Sequence, residues 1–333
     1  MASRSLRSRG LAGAEVALVL MLTSAGSAFA QNWPTRPMTM VVPFAAGSSS
    51  DIVGRIVAPR LSELLGQQVV IENVGGAGGM TGANRVAKAA PDGYQFVLGT
   101  GGTHATTQTL YKNPPYNAGT DFAPVALIVE QTIVLVARKD LRADNLKELG
   151  TYAKDQQAKM QYGSPGTGSA PHLACVLLNA ALGINVTHVP YRGAPPAIQD
   201  LMAGRIDYAC LSGTVAIPQI ESQAVKALAI LTRDRSPSLP ALASAHEQGL
   251  TNFHASTWYA IFLPKRTPTP IVEKLHGAVI ATMNTPVVQA RLKETGTDLV
   301  APERRSPEYL AKFVVSEIDR WAAAIKTAGV GLD

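Results

Sequence analysis

The hydrophobic positions of the chain alternate between short apolar runs and stripes with helical spacing. Residues 38–44 form an apolar run of the kind that is buried in a parallel sheet. Small residues follow at 45–50, and apolar positions from Ile52 onward then repeat along one helix face. The pattern predicts a buried strand, a tight loop and a helix that begins at about Asp51.

The same order of strand, loop and helix recurs. A strand at 68–73 leads through a glycine-rich segment into a helix, and the turn at Asp92-Gly93 precedes a strand at 94–98. Strands that alternate with helices in this way form right-handed crossover units of a parallel sheet. The first hundred residues after the N-terminal segment therefore predict one lobe of an α/β fold.

A second lobe is predicted further along the chain. Apolar strands at 125–129 and 133–137 read as a crossing into this lobe, and residues 253–263 read as the crossing back. Further strands are predicted at 160–163, 186–190, 206–211 and 226–231, with helices between them, and closing helices at 270–284, 285–295 and 306–327. The predicted boundaries are 31–130 with 257–333 for the first lobe and 131–256 for the second.

The N-terminal thirty residues have the features of a secretory signal peptide. Three arginines precede the short apolar run 16–22, and Ala28-Phe29-Ala30 is a small-x-small cleavage site before Gln31. The alternative is an uncleaved anchor, but the run is much shorter than the roughly 20 residues that a membrane span needs. We expect residues 1–30 to be removed and the mature protein to reach the periplasm.

Charge and cysteine content exclude several functions. The formal net charge is +6, and the basic residues are scattered without a Lys/Arg run, which argues against nucleic-acid binding. The electric field of this net positive charge would attract anionic ligands. Cys175 and Cys210 could form a disulfide in an oxidising compartment or remain two buried hydrophobic residues. His104, His172 and His188 lack metal-ligand spacing, so no metal and no cofactor are predicted.

Two loops of small residues, 45–50 and 164–168, each lead into a helix N-terminus. Backbone N–H groups at a helix N-terminus form an anion site, and glycines allow a ligand to approach closely. The alternative is an ordinary strand-to-helix connection. For Asp51 the favoured interpretation is that its side chain holds its own loop. Ser169 is the predicted N-cap of the second helix.

Other chemistry is less well supported. The stretch 75–82 resembles a dinucleotide-binding loop only superficially, because its third glycine is missing. No G-x-S-x-G nucleophile motif occurs at the second loop, although a hydrolase that pairs His172 with a loop serine stays an alternative. Tyr191 and Arg192 follow a predicted strand, a position that suits a cleft.

Three sets of motifs resemble one family, the periplasmic receptors of tripartite tricarboxylate transporters of the Bordetella-uptake type. The segments are 43–51 (PFAAGSSSD), 71–79 with 87–94 (IENVGGAGG and AKAAPDGY), and 163–172 with 189–193 (GSPGTGSAPH and VPYRG). The likeness extends from Trp33 to near the C-terminus. Ser48 stands where the family usually has a second glycine.

The resemblance implies a type II periplasmic binding protein, a two-lobed Venus flytrap in which each lobe is a mostly parallel sheet flanked by helices. It implies a monomer without enzymatic activity that holds a small mono- or dicarboxylate, aromatic and amino acids included, between the lobes, partly through ordered water. It also implies delivery to permease subunits in the membrane; a receptor that feeds a sensor kinase is an alternative. The candidate ligand-binding residues are Phe44, Ala46, Gly47, Ser48, Ser49, Asp51, Thr103, Ser164, Thr167, Gly168, Ser169, His172, Tyr191, Arg192 and Asp207.

Overall fold

The structure is a computed structural model that describes residues 33–156, 159–251 and 253–327. The predicted signal peptide and its cleavage point before Gln31 lie outside these ranges. Within them, no helix is long and apolar enough to cross a membrane.

The elements follow the predicted alternation of strands and helices. The strands are β1 (Met38–Val42), β2 (Val69–Asn73), β3 (Gln95–Thr100), β4 (Phe122–Ala137), β5 (Gln161–Ser164), β6 (Thr187–Pro190), β7 (Tyr208–Ser212), β8 (Lys226–Ile230), β9 (Ser256–Pro264) and β10 (Asp298–Leu299). The α-helices are α1 (Ser49–Leu65), α2 (Met80–Ala87), α3 (Thr107–Leu110), α4 (Leu146–Gln156), α5 (Ala170–Leu182), α6 (Ala194–Met202), α7 (Gly213–Glu221), α8 (Thr269–Met283), α9 (Pro286–Glu294) and α10 (Pro307–Thr327). A π-helical turn, Gly102–Thr106, leads into α3.

The sheet is curled and mixed, with the strand order β2-β1-β3-β9-β4-β7-β5-β6. The parallel pairs are confined to its two ends, β2-β1-β3 in the first lobe and β7-β5-β6 in the second. The central strands β9 and β4 run antiparallel to their neighbours. The α/β prediction is confirmed. The antiparallel strands at the centre of the sheet were not predicted.

The two apolar strands predicted at 125–129 and 133–137 form one continuous strand, β4. Its first part pairs with β9 as far as Thr132, and its last five residues pair with β7. Polar residues separate the two apolar runs, and their side chains are paired with residues from other elements. Glu130 is paired with Arg304 at 2.6 Å, and the amide of Gln131 is fully hydrogen-bonded. Glu130 and Gln131 therefore mark the place where one continuous strand passes from the first lobe to the second.

Hydrophobic cores lie on the two sides of this passage. One group of buried residues comes from β1 to β3, the first part of β4, β9, the helices α1 to α3 and α8 to α10, and Leu173 of α5. The other group comes from the last part of β4, β5 to β8 and the helices α4 to α7. The exact residue boundaries of the lobes remain a prediction.

The two cysteines form a disulfide that ties helix α5 to strand β7. The Cα atoms of Cys175 and Cys210 are 5.6 Å apart, and both side chains are fully buried. The N-cap of α5 and the C-terminal end of β7 lie on the same side of the second lobe. The bond therefore fixes two elements that contribute residues to the cavity described next.

Candidate functional site

A cleft lies between the lobes at the C-terminal ends of the parallel strands. This edge is where ligands bind in open α/β sheets. Both lobes line it, with Phe44, Ser48, Ser49, Ser50, Thr100, Thr257 and Tyr259 from the first and Pro165, Ser169, Ala170, Pro171, Ala194 and Ser212 from the second. Eight of these side chains carry a hydroxyl group, and none of the described lining residues carries a charge.

The first loop is held in place by Asp51, which is 2% exposed. Its carboxylate accepts hydrogen bonds from Gly47 N, Arg55 Nε and Asn73 Nδ2, each at 2.9 Å. Burial alone would raise the pKa of Asp51, but these hydrogen bonds outweigh it and keep the pKa below its usual value. Asp51 thus stays ionised and braces the loop from behind.

The first helix leaves its N-terminus free for a ligand. Ser48 is the N-cap of α1, yet its side chain makes no capping hydrogen bond and lies 3.2 Å from the hydroxyl of Ser50. The first-turn N–H groups of a helix have no partner within the helix and carry partial positive charge. The hydroxyls and amides at this end of α1 therefore present donors to the cleft.

The second loop is held by hydrogen bonds from two serine and two histidine side chains. Ser169 caps α5 as predicted, since its hydroxyl accepts from His172 N at 3.3 Å. His172 Nδ1 accepts from Gly168 N at 3.2 Å, and Ser164 Oγ lies 2.7 Å from His188 Nε2. Burial lowers the pKa of His172 to about 3 and that of His188 to about 4, so both rings are neutral at pH 7. They support the loop as uncharged hydrogen-bonding groups.

Four helix N-termini meet at the cleft: α1, α5, α6, which begins at Ala194, and α7, whose N-cap is Ser212. Their dipoles favour a negative charge between them. No group of three or more His, Cys, Asp or Glu side chains suited to a metal occurs in the described part of the chain. The arrangement can hold an anion by neutral donors.

Of the predicted residues, the structure places Phe44, Ser48, Ser49 and Ser169 in the cleft lining. Thr103 lies behind it, where its hydroxyl accepts from Thr100 N at 2.9 Å. Ala46, Gly47 and Arg192 are exposed. Asp51, Ser164 and His172 are the loop supports described above.

Two predicted residues are bound elsewhere. Tyr191 donates its hydroxyl to Asp200 at 2.8 Å. Asp207 precedes β7 at the N-terminal edge of the parallel strands, opposite to the cleft, and pairs with Arg138 at 3.0 Å. The structure therefore removes Asp207 from the candidate site, because a residue at that edge of the sheet cannot reach the other edge.

Thr167 and Gly168 belong to a contact between the lobes. Thr106 donates its hydroxyl to the carbonyl of Gly168 at 2.6 Å, and Tyr111 donates to the carbonyl of Thr167 at 3.3 Å. Gly78, in the glycine-rich stretch that resembled a nucleotide loop, lies so close that a Cβ atom there would be 2.2 Å from the Thr167 oxygen. The glycine-rich stretch packs against the second lobe.

Several lining residues escaped the sequence analysis, namely Ser50, Thr100, Pro165, Ala170, Pro171, Ala194, Ser212, Thr257 and Tyr259. Ser212 could have been predicted, because it ends a strand and is the N-cap of the next helix. Ser48 is also an N-cap, a few residues after its strand. Thr257 and Tyr259 alternate along β9, which reads from the sequence only as a crossing segment.

A family model described as "Tripartite tricarboxylate transporter family receptor" matches residues 53–330. The chain belongs to this family of receptors. BugT of Bordetella pertussis is 33% identical to the receptor over 305 residues, which cover 91% of this chain and 92% of BugT. The family predicted from the motifs is thereby confirmed.

Solved structures of similar proteins have the same fold. The periplasmic binding protein BugD is 39% identical, with a TM-score of 0.86, and the match covers 90% of the receptor and 99% of BugD. MatC from Rhodopseudomonas palustris, solved with bound malate, is 38% identical, with a TM-score of 0.86 over 88% of the receptor and 100% of MatC. The receptor is thus a solute-binding protein of the periplasmic type.

Proposed function

We propose that the receptor binds a small carboxylate in the cleft and delivers it to the permease subunits of a tripartite tricarboxylate-type transporter. The observation that carries the proposal is the convergence of four helix N-termini on a cleft with eight hydroxyl side chains and no charged side chain among its described lining residues. Such a site stabilises a carboxylate without a cationic clamp. The malate bound by MatC belongs to the same class of ligand.

In this proposal the ligand carboxylate lies between the N-termini of α1 and α5, one from each lobe. The lobes, 31–130 with 257–333 and 131–256, close around it by bending at β4 and β9, and hinge closure around a ligand is a known mode of switching. The contact of Gly78 with the second loop then belongs to the closed state. Small-angle scattering is expected to give a smaller radius of gyration with ligand than without it.

The receptor is proposed to act without catalysis, in the periplasm, after removal of residues 1–30. The serine nearest to an imidazole, Ser164, is fully buried, its partner is His188, and neither residue lines the cleft. Among the described residues, the His172 ring is hydrogen-bonded to Gly168 N and to no serine hydroxyl, which favours a receptor over a hydrolase that uses His172. Intact-mass measurement of periplasmic protein is expected to show a chain that begins at Gln31.

The experiment that tests the proposal is a thermal-shift screen of mono- and dicarboxylates, aromatic acids and amino acids. A ligand that binds only the folded state raises the melting temperature by mass action. Hits are then incubated with the receptor and followed by chromatography. Binding without turnover supports a receptor; conversion of a hit, or a screen in which only uncharged solutes bind, contradicts it.

A further inference from the structure

A chain of hydrogen bonds leads from the cleft into the centre of the molecule. Tyr259 lines the cleft, and its hydroxyl donates to Gln131 Oε1 at 3.1 Å. Gln131 Nε2 donates to Thr297 Oγ1 at 2.6 Å and also to Thr214 Oγ1. All four side chains are no more than 3% exposed. A buried polar network of this kind is held in one arrangement, because an unsatisfied member is costly.

The direction of this chain is set at its far end by a backbone carbonyl. Thr295 donates its hydroxyl to the Leu292 carbonyl at 2.7 Å, and a carbonyl can only accept. Thr297 Oγ1 lies 3.0 Å from Thr295 Oγ1 and 3.4 Å from Thr214 Oγ1, so with the Thr295 hydrogen on the carbonyl, the Thr297 hydrogen goes to one of these two oxygens. Thr297 in turn accepts from Gln131, which fixes the amide with its nitrogen toward Thr297 and its oxygen toward Tyr259.

The consequence for the cleft is that the hydrogen of the Tyr259 hydroxyl is already used. Burial raises the pKa of Tyr259 to about 12, so the phenol keeps this hydrogen at neutral pH. The hydroxyls of Ser49 and Ser212 also donate to this oxygen, so a ligand hydroxyl binds there by replacing one of them. Toward the cleft, the Tyr259 oxygen can only accept a hydrogen bond.

We propose that this relay makes Tyr259 an acceptor in the site, so that the receptor selects carboxylates that also carry a hydroxyl group over those that lack it. The inference rests on the proposed function. The helix N-termini bind the carboxylate, and Tyr259 accepts from the ligand hydroxyl. An ammonium group is a poorer donor here, because its positive charge would face four helix N-termini of like sign. Gln131 and Thr297 are positioning residues that never touch the ligand.

The first test uses four matched pairs of acids: malate and succinate, 2-hydroxyglutarate and glutarate, lactate and propionate, and mandelate and phenylacetate. Calorimetric titration of the mature receptor is expected to show the hydroxy acid binding at least about tenfold more tightly in each pair that binds. Equal or tighter binding of the deoxy acid overturns the inference and leaves the receptor function standing. Failure of all eight acids to bind contradicts the inference, and the receptor function is contradicted as well only if the thermal-shift screen yields no carboxylate.

The second test changes the relay outside the cleft. Thr297→Val removes the partner that orients the amide, so Gln131 can turn and Tyr259 can donate; the preference is expected to fall to about twofold or less. Thr214→Val makes the same change at the other partner of the amide nitrogen. It keeps Thr297 and the hydrogen bond of Thr295 to the Leu292 carbonyl, so the preference for hydroxy acids is expected to persist. Tyr259→Phe is expected to abolish it.

A merely structural role for the network gives a different result. Loss of packing weakens both members of a pair together, so the ratio of the two affinities stays constant. Each variant is first shown to be folded by its melting curve. An unchanged ratio in Thr297→Val, or equal loss of preference in Thr214→Val and Thr297→Val, would overturn the assigned direction of the relay.

Discussion

Closure of the receptor is expected to depend on the absence of a side chain at Gly78. In Gly78→Ala the added Cβ would lie 2.2 Å from the carbonyl oxygen of Thr167 and 3.2 Å from Ser169 N. Both neighbours are backbone atoms, so a rotamer change cannot relieve the clash and the two loops must separate. Separation breaks the hydrogen bonds from Thr106 to Gly168 and from Tyr111 to Thr167.

At about 1 kcal/mol for each of these two bonds, the variant is expected to lose about 30-fold in ligand affinity. The assay is calorimetric titration with the ligand found by screening, combined with small-angle scattering at saturating ligand. The radius of gyration is expected to stay at its ligand-free value in Gly78→Ala, because the closed contact cannot form.

Gly183→Ala is a matched control. Gly183 has φ +62°, close to the +63° of Gly78, but a Cβ there meets nothing within 4 Å. Both variants carry the same cost of placing alanine in the left-handed region, and only one carries the clash. Equal affinity of Gly78→Ala and Gly183→Ala would show that the contact between the loops plays no part in closure.

Three further results are expected. Replacing Cys175 and Cys210 by alanine should lower the free energy of unfolding by about 3 to 4 kcal/mol in urea titration, given the sequence separation of 35; an unchanged midpoint would refute this. His172 and His188 have folded-state pKa values below the unfolded value, so their stabilising contribution is complete above about pH 6.5 and is lost as the pH falls toward about 4 for His188 and about 3 for His172. Melting curves across this range check the sign, and stability that rises on acidification would contradict it. Arg192→Ala should change ligand affinity by less than about 1 kcal/mol, because Arg192 is exposed and lies outside the cleft lining; loss of binding in titration would instead indicate a cationic clamp.

The sequence predicted the parts of the site that are built locally. Ser48, Ser49 and Ser169 follow strands and begin helices, and both relations lie within a few residues of the chain. Asp51 was interpreted as a brace for its own loop, and the hydrogen bonds from Gly47 and Asn73 agree with that.

Pairing between distant segments escaped the same reasoning. Tyr259 reaches the cleft because β9 inserts between β3 and β4, a placement that no local pattern encodes. Asp207 lies at the start of its strand, and the ion pair that holds it at that edge joins it to Arg138, 69 positions away in the sequence. The polar residues Glu130 and Gln131 separate two apolar runs that form one strand, and their partners, Arg304 and Thr297, are far away in the sequence.

Strand β4 is a single long strand that runs through both lobes. Its 16 residues rise about 3.3 Å each, so the strand extends about 25 Å to either side of its middle. A bend of only about 10° near Gln131 would displace the far ends of the lobes by about 4 Å over that length. The same bend rotates one lobe against the other at the contact of Thr106 with Gly168, where a hydrogen bond of 2.6 Å is lost once its atoms move about 1 Å apart. Small angular changes at the middle of one strand are therefore enough to switch the contact at the rim between made and broken.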